Sequence, residues 1–324
     1  MTAGRPMLID PLKADAFMKY ANTLLSNPDI AYHISAWTDQ YETKKTGMRK
    51  RNETKAAPWD DPSKEDIESL FCPCTEPSIE DGMGIIPMTG VIGKGLTKVE
   101  RMLGCCDIKE VSATLDAWSK RDEIREVVFK VDSGGGSTSG LQEMAKKIRN
   151  YNKPTVAYCE DDCGSAAYWL ASQCSRFIVT PSASIGAIGI YLVTKNESKK
   201  HKEDGVEYKI IKSGEYKAAG VENTALTALQ EQRLQDEVIE LHRRFIGDIK
   251  SVRYFANIED MQGQSFYGDE ALLKYLVTNL VDEWKEAKAL IKEWRTATTV
   301  DNIASMGMAR SIITTAYPTE GFIG

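Results

Sequence analysis

The sequence has few histidines, no long apolar run and no excess of positive charge, and each absence argues against a class of protein. No stretch of about 18 apolar residues occurs, and the first twenty residues lack the pattern of a secretory signal. We therefore expect a cytoplasmic protein without a membrane anchor. The 41 Lys and Arg residues are interleaved with 47 Asp and Glu residues, for a formal net charge of -6. This balance argues against nucleic acid as a partner.

Cysteine patterns typical of metal sites are also lacking. The seven cysteines are an odd number without a repeating spacing, which predicts free thiols in a reducing compartment. Only Cys72-Pro-Cys74 and the Cys105-Cys106 pair are spaced closely, and neither has the two-residue gap of a zinc site. We predict no metal and no cofactor. The remaining cysteines are Cys159, Cys163 and Cys174.

What is present divides the chain into three segments. Residues 1–80 combine a predicted amphipathic helix over 9–26 with a charged, Pro-containing linker over 38–68. Residues 81–285 carry regular apolar elements and form the main domain. Residues 286–324 contain the end of a helix and a flexible tail rich in Ser, Thr and Gly.

The sequence of the main domain predicts alternating strands and helices. VVFKV at 127–131, KPTVAYCED at 153–161 and RFIVT at 176–180 are short apolar runs typical of buried strands. A short helix of small residues, GSAAYWLASQC at 164–174, separates the last two. Such close alternation predicts an α/β fold with a parallel sheet and right-handed crossover helices.

VDSGGGSTSG, at residues 131–140, places three glycines directly after a strand. A phosphate loop needs Lys and then Ser or Thr after its last glycine, but Leu141 and Gln142 stand there. The dinucleotide fingerprint needs a third glycine where Ser139 stands. We interpret the stretch as a strand-to-helix turn, with a capping box from Ser139 to Gln142, whose amides suit an oxyanion. A turn that only packs a helix tightly on the sheet is the alternative.

A hydroxyl nucleophile needs a base, and the three histidines (His33, His201 and His242) lie outside any catalytic pattern. The Ser-Lys arrangement is the alternative to a Ser-His-Asp triad. Ser165 opens the small-residue helix at GSAAYW, and Lys217 lies among small residues in KSGEYKAAG. A lysine base must be buried, because its pKa has to fall by about three units, worth about 4 kcal/mol. Spacing alone gives a weak signal, since such helix starts and lysines are common.

Six motifs in order carry a family resemblance over about residues 84–285. They are GIIPMTGVIG, VVFKVDSGGGS, DDCGSAAYWLAS, SRFIVTPSASIGAIGI, IKSGEYKAAG and SFYGDEALLKYLVTNLVDEW. The sequence resembles the signal peptide peptidase A family of Ser-Lys peptidases, and within it the phage head maturation proteases of the lambda protein C type. The resemblance implies a crotonase-like or ClpP-like α/β fold. It also implies a homo-oligomeric ring in which neighbouring protomers can share an active site.

The resemblance assigns a role to each matching residue. Ser165 matches the nucleophile and Lys217 the general base, while the N–H of Gly135 matches the oxyanion-hole donor and that of Ala166 is a second donor. Two positions depart from the family pattern: Gly134 replaces a usual Pro, and Ala187 replaces a Ser that orients the lysine in many relatives. Ser213 and Ser184 are the candidates to replace that hydroxyl.

The resemblance implies one preferred function, and three alternatives are kept beside it. The preferred function is an ATP-independent serine endopeptidase that processes scaffold, capsid or portal proteins during phage head maturation, inside the assembling procapsid in the host cytoplasm. The first alternative is a cellular peptidase of signal or membrane peptides. The second is a weakly active or inactive structural ring protein, which Ala187 favours. An acyl-CoA enzyme of the crotonase type lacks an evident acid/base carboxylate.

Overall fold

The computed structural model describes residues 7–9, 76–97, 100–101, 103–194, 196, 198–221 and 225–300, with side chains from 76 to 296. Apart from Ile9, which lies in a strand, the helix predicted over 9–26 falls outside the described residues. So do the predicted linker, His33, Cys72, Cys74 and the tail after residue 300. The chain divides into two units, residues 1–280 and 281–324.

One sheet dominates the first unit. Its described strands are β1 (Met7–Ile9), β2 (Ser78–Glu80), β3 (Met83–Gly93), β4 (Cys106–Asp107), β5 (Glu126–Ser137), β6 (Thr155–Gly164), β7 (Arg176–Val179), β8 (Ser184–Gly186), β9 (Ser265–Tyr267) and β10 (Asn279–Leu280). The helices of this unit are α1 (Ile108–Trp118), α2 (Leu141–Arg149), α3 (Ala166–Ala171), α4 (Ser198–Glu203), α5 (Ala228–Val252) and α6 (Gly268–Leu273), and a 3₁₀ turn spans Ile258–Asp260.

The centre of the sheet is parallel. Its main path runs β10-β7-β6-β5-β3-β2, and every pair on it is parallel except β2 with β3. Helix α2 connects β5 to β6, and α3 connects β6 to β7. The predicted α/β class, with a parallel sheet and crossover helices, is confirmed.

Strand β5 shows why this sheet is buried on both faces. Val127, Val128, Phe129 and Val131 are each at most 3% exposed, so side chains on both faces of the strand pack into the core. The strand predicted at 127–131 is therefore confirmed.

The prediction of a turn directly after this strand is wrong. Strand β5 continues through the three glycines to Ser137, because β3 pairs with it as far as Gly136. A Cβ atom on Gly136 would lie 1.9 Å from the carbonyl oxygen of Ile92, so only glycine allows the strands to come this close. The glycines hold two strands together rather than forming a helix-start turn.

The predicted capping box at Ser139 is also wrong, because Ser139 is not the N-cap of α2. Helix α2 begins at Leu141 after Gly140, whose φ is +73° and which has no side chain to cap the helix. A capping box is found instead at the start of α5, where Gln230 N–H donates to Thr227 Oγ1 at 3.2 Å.

A polar contact fixes the short helix α3 against the long helix α5. The Trp169 ring stacks on Phe245 with centroids 4.4 Å apart, and its Nε1–H donates to Asp248 Oδ2 at 3.0 Å. Arg149 Nη1 lies 3.1 Å from the other carboxylate oxygen. Asp248 thus accepts the hydrogen bond of a buried indole N–H that would otherwise lose its partner. The Arg149 guanidinium also donates to Gln173 and Ser251.

We expect Asp248→Ala to lower the free energy of unfolding by about 2–3 kcal/mol, because it leaves the buried Trp169 N–H without its acceptor. Urea unfolding followed by tryptophan fluorescence measures this difference. The matched variant Asp236→Ala, on the exposed surface of the same helix, should change stability by less than about 0.5 kcal/mol. Equal stabilities of the two variants would refute the anchoring role.

The second unit contains helix α7 (Trp284–Val300). The N–H of Asp282 donates to Glu286 Oε2 at 2.9 Å, which ties the residues before the helix to its first turn. No helix in the described part of the chain is long and apolar enough to cross a membrane.

Candidate active site

Ser165 stands at the junction of a strand and a helix. Strand β6 ends at Gly164, and Ser165 is the N-cap of α3 with φ +53° and ψ −114°. Residues other than glycine rarely adopt such a backbone conformation, and it concentrates at functional sites. Two hydrogen bonds hold it there: Ser165 N–H donates to Gly186 O at 2.8 Å, and Trp169 N–H donates to Ser165 O at 2.9 Å.

Small residues surround this junction. A Cβ atom on Gly164 would lie 3.3 Å from Gly134 O and 3.5 Å from Ala187 Cβ, so these three residues crowd together beside Ser165. Ala187 has φ +47°, and its N–H donates to Gln264 O at 2.7 Å. Ala187 therefore lies next to the strand end that carries Ser165, and it presents a methyl group there.

The predicted oxyanion donors differ in their present partners. The N–H of Gly135 donates to Ser133 Oγ at 3.1 Å, and this hydroxyl donates to Gly90 O at 2.5 Å. The N–H of Ala166 lies in the first turn of α3, where amides have no partner within the helix. An oxyanion would have to replace Ser133 Oγ as the acceptor of Gly135. Ser133 is not among the residues predicted from the sequence, although its hydroxyl stands directly before the glycines.

Two buried cysteines, Cys159 and Cys163, do not compete with Ser165 as nucleophile. The five described cysteines are buried, and none forms a disulfide. Cys163, two residues from Ser165, is fully buried, and desolvation raises the pKa of its thiol well above the usual value. Burial also raises the pKa of Cys159. Because the thiolate is the reactive form, both thiols are inert at neutral pH.

The structure of the single chain does not bring Lys217 to Ser165. Lys217 lies in an exposed turn, in which its N–H donates to Gly214 O at 3.1 Å. Ser165 Oγ lies 3.5 Å from Gly189 O, and within the described residues no lysine ammonium bonds this hydroxyl. The water-poor place predicted for Lys217 is thus not found in the isolated chain. Ser213 is exposed beside this turn, and Ser184 is half-buried on β8.

The two described histidines lie in structural contacts. His242 Nε2 is 2.9 Å from Met261 O, and the His201 ring meets Tyr208 edge-on with centroids 5.2 Å apart. Neither makes a hydrogen bond to Ser165 in the part of the chain that the structure describes. The geometry therefore offers Ser165 no histidine base from these two positions.

Solved structures similar to this one include two kinds of protein. An enoyl-CoA hydratase from Shewanella pealeana superposes with a TM-score of 0.42 at 9% identity, covering 78% of this chain and 83% of that one. A membrane-bound stomatin-specific protease in complex with a substrate peptide gives 0.37 at 14% identity, covering 63% and 78%.

Relatives in sequence include phage and archaeal proteins. The "Head-tail preconnector protein GP5" of Enterobacteria phage P21 is 30% identical over 169 residues, 52% of this chain and 34% of that protein. The "Capsid assembly protease C" of Escherichia phage lambda is 24% identical over 208 residues, 63% and 47%. The "Putative protease MJ0651" of Methanocaldococcus jannaschii is 26% identical over 183 residues, 54% and 58%. The chain thus spans from a third to somewhat over half of these relatives.

The family comparison covers the segment that holds the candidate nucleophile and base. The model of peptidase family S49 matches residues 147–301, which include both Ser165 and Lys217. Together with the relatives above, this match shows that the chain is similar to peptidase family S49 over this segment, which is just under half of its length.

Proposed function

We propose that the chain is an ATP-independent serine endopeptidase in which Ser165 is the nucleophile and Lys217 the general base. The observation that carries this proposal is the backbone of Ser165, held at φ +53° between a buried strand and a buried helix. This geometry places the Ser165 hydroxyl beside the amide of Ala166, which lies in the first turn of α3 and has no partner within the helix. A strained serine next to an amide donor is the arrangement that acyl transfer requires.

The chemistry follows from these groups. Ser165 Oγ attacks the carbonyl carbon of a peptide while Lys217 Nζ, in its neutral form, takes the hydroxyl proton. The N–H groups of Ala166 and Gly135 stabilise the oxyanion. The protonated Lys217 then gives its proton to the leaving amine, and the resulting ester is hydrolysed by a water molecule that Lys217 deprotonates.

We propose that Lys217 serves Ser165 of a neighbouring protomer in a homo-oligomeric ring. The segment 206–221 carries an unusual number of exposed apolar side chains, of which Ile211 is 90% exposed and Tyr208 56%. Monomeric proteins rarely expose contiguous apolar surface of this kind. Docking of this segment on a second copy would bury it and remove water from Lys217. Its exposed members are Val206, Tyr208, Ile210, Ile211, Tyr216 and Val221.

The hydroxyl that orients Lys217 has two candidates in place of Ala187. Ser213 lies four residues before Lys217 on the same exposed segment, so it would move with the lysine on docking. Ser184 lies on β8, which pairs with β6 directly before the nucleophile. Either hydroxyl would supply an acceptor for the ammonium group.

The relatives support a role in phage assembly. One is named a capsid assembly protease and another a head-tail preconnector protein. We propose that the substrates are scaffold, capsid or portal proteins inside a procapsid. A cellular peptidase of signal or membrane peptides is the alternative; the relative named putative protease MJ0651, from a cellular organism, supports a cellular origin but says nothing of the substrate. A weakly active structural ring is a third possibility, supported by the methyl group at Ala187.

Lys217→Ala is expected to lower cleavage of fluorescein-labelled β-casein at least about 100-fold, because general base catalysis alone contributes about 10²–10⁴-fold. The assay uses the assembled protein, and size-exclusion chromatography confirms that the variant assembles as the parent does.

Lys209→Ala is the matched control, since Lys209 is an exposed lysine on the same segment. It should retain activity within about twofold. Full activity of Lys217→Ala in an assembled sample would exclude Lys217 as the base, and loss of activity in both variants would indicate a general effect of charge on docking.

A further inference from the structure

We propose that residues Met7–Ile9 occupy the peptide-binding edge of the Ser165 site and limit the access of other peptides. This inference rests on the proposed peptidase function and adds to it the way in which the site is regulated. The observation behind it is the antiparallel pairing of β1 with the glycine end of β5: Met7 pairs with Ser137, Leu8 with Gly136 and Ile9 with Gly135.

The pairings of β5 show on which edge β1 lies. A strand has two hydrogen-bonding edges, and at Gly135 and Gly136 the first edge is taken by β3. The second edge is paired with β6 only as far as Ser133, which faces Cys163. Strand β1 therefore lies on the β6 side, in the space that opens where β6 leaves the sheet.

Ser165 stands at the place where this space begins. Counting on from the pair of Ser133 with Cys163, Ser165 would face Gly135 if β6 continued as a strand. The backbone instead turns into α3 at Ser165, and Ile9 takes the position opposite Gly135. The Ile9 end of β1 therefore takes the register position, one strand spacing of about 4.8 Å from β5, that Ser165 would hold in a continued β6.

An extended peptide in this space would bind as an added strand. Main-chain hydrogen bonds to an open sheet edge give affinity without requiring a fixed sequence, which suits a peptidase that acts on several proteins. The chain direction from Met7 to Ile9 brings successive residues toward Ser165, as the acyl side of a substrate must run. Met7–Ile9 thus lie as a substrate would, and Ser165 is only 2% exposed in this state.

The test is a binding measurement that does not depend on catalysis. In the Ser165→Ala background, Leu8→Pro/Ile9→Pro removes the backbone N–H of two consecutive residues of β1. Because one of any two consecutive strand residues donates its N–H to the neighbouring strand, the substitution weakens the pairing of β1 with β5. The probe is a fluorescein-labelled peptide of residues 4–12, GRPMLIDPL. We expect the double-proline protein to bind it about five- to tenfold more tightly than the parent, because the open fraction divides the apparent Kd.

The matched control is Ala3→Pro/Gly4→Pro, which places the same two prolines before the strand. It should bind the probe as the parent does, and a scrambled peptide should show no difference among the proteins. Circular dichroism confirms that all variants are folded. Equal affinity of the double-proline protein and its parent for the probe overturns the proposal.

A second readout separates this inference from the proposed function. With Ser165 restored, the double-proline variant should cleave labelled β-casein about five- to thirtyfold faster than the parent, since displacing a weakly held strand shifts the equilibrium by that factor. Equal cleavage rates refute the occlusion and leave the peptidase function intact. Tighter peptide binding without cleavage by any variant supports the occlusion and refutes the peptidase function.

Discussion

Replacing Ser165 with alanine is expected to lower the cleavage rate of β-casein by about 10⁴-fold or more, because the attacking oxygen is lost and the acyl-enzyme cannot form. The substitution removes one atom whose described contact is a 3.5 Å approach to Gly189 O. The backbone bonds to Gly186 and Trp169 do not involve the side chain, so the fold should be kept. Cleavage is followed by fluorescence and stability by thermal unfolding.

Ser182→Ala is the control for this variant. Ser182 is an exposed serine in the loop between β7 and β8, and it should retain activity within about twofold. A Ser165→Ala protein that cleaves at the parental rate would show that the reaction uses another nucleophile. A protein that loses its thermal transition would show that Ser165 is needed for folding instead.

Mixed oligomers of Ser165→Ala and Lys217→Ala protomers are expected to recover about a quarter of the parental activity, although each variant alone is inactive. In a ring with heterologous contacts, each site takes its serine from one protomer and its lysine from the next, so random mixing leaves both intact in about one site in four. The exposure of Lys217 in the single chain is the reason to expect this sharing. The two chains are co-expressed with different tags and purified over both.

The activity of the mixed sample is informative only if both chains are present in the same oligomer. Native mass spectrometry establishes that both chains are present in one assembly. If mixed assemblies form and remain as inactive as the separate variants, Ser165 and Lys217 act within one chain, and the exposed segment 206–221 must fold onto its own site. Recovery that is greatest when the two chains are present in equal amounts supports the shared site.

Much of the fold could be predicted from the sequence, because short apolar runs indicate the buried strands. The apolar run at 127–131 and the two that follow predict a parallel sheet, and the structure has it. The turn expected at the glycines was wrong because strand pairing is non-local. The approach of Ile92 to Gly136 and the pairing of Met7–Ile9 with β5 join residues far apart in sequence.

The sequence predicted the position of Ser165 in the candidate site, but neither its backbone conformation nor the surroundings of Lys217. Small neighbours pointed to Ser165, and the structure places it at the start of α3 as expected. Its positive φ could not be read from the sequence, because the bond from Ser165 N–H to Gly186 O that holds it comes from another strand. The burial of Lys217 was also beyond the sequence, since no contact within the described chain provides it.

If Ser165 is an activated nucleophile, a fluorophosphonate should label it covalently, which intact mass and peptide mapping of the assembled protein would detect. We expect a single adduct, on Ser165, that is absent from Ser165→Ala and strongly reduced in Lys217→Ala. A protein that forms no adduct on Ser165 under any assembly condition, or that carries its adduct on another residue while it cleaves β-casein, would show that Ser165 is not the nucleophile.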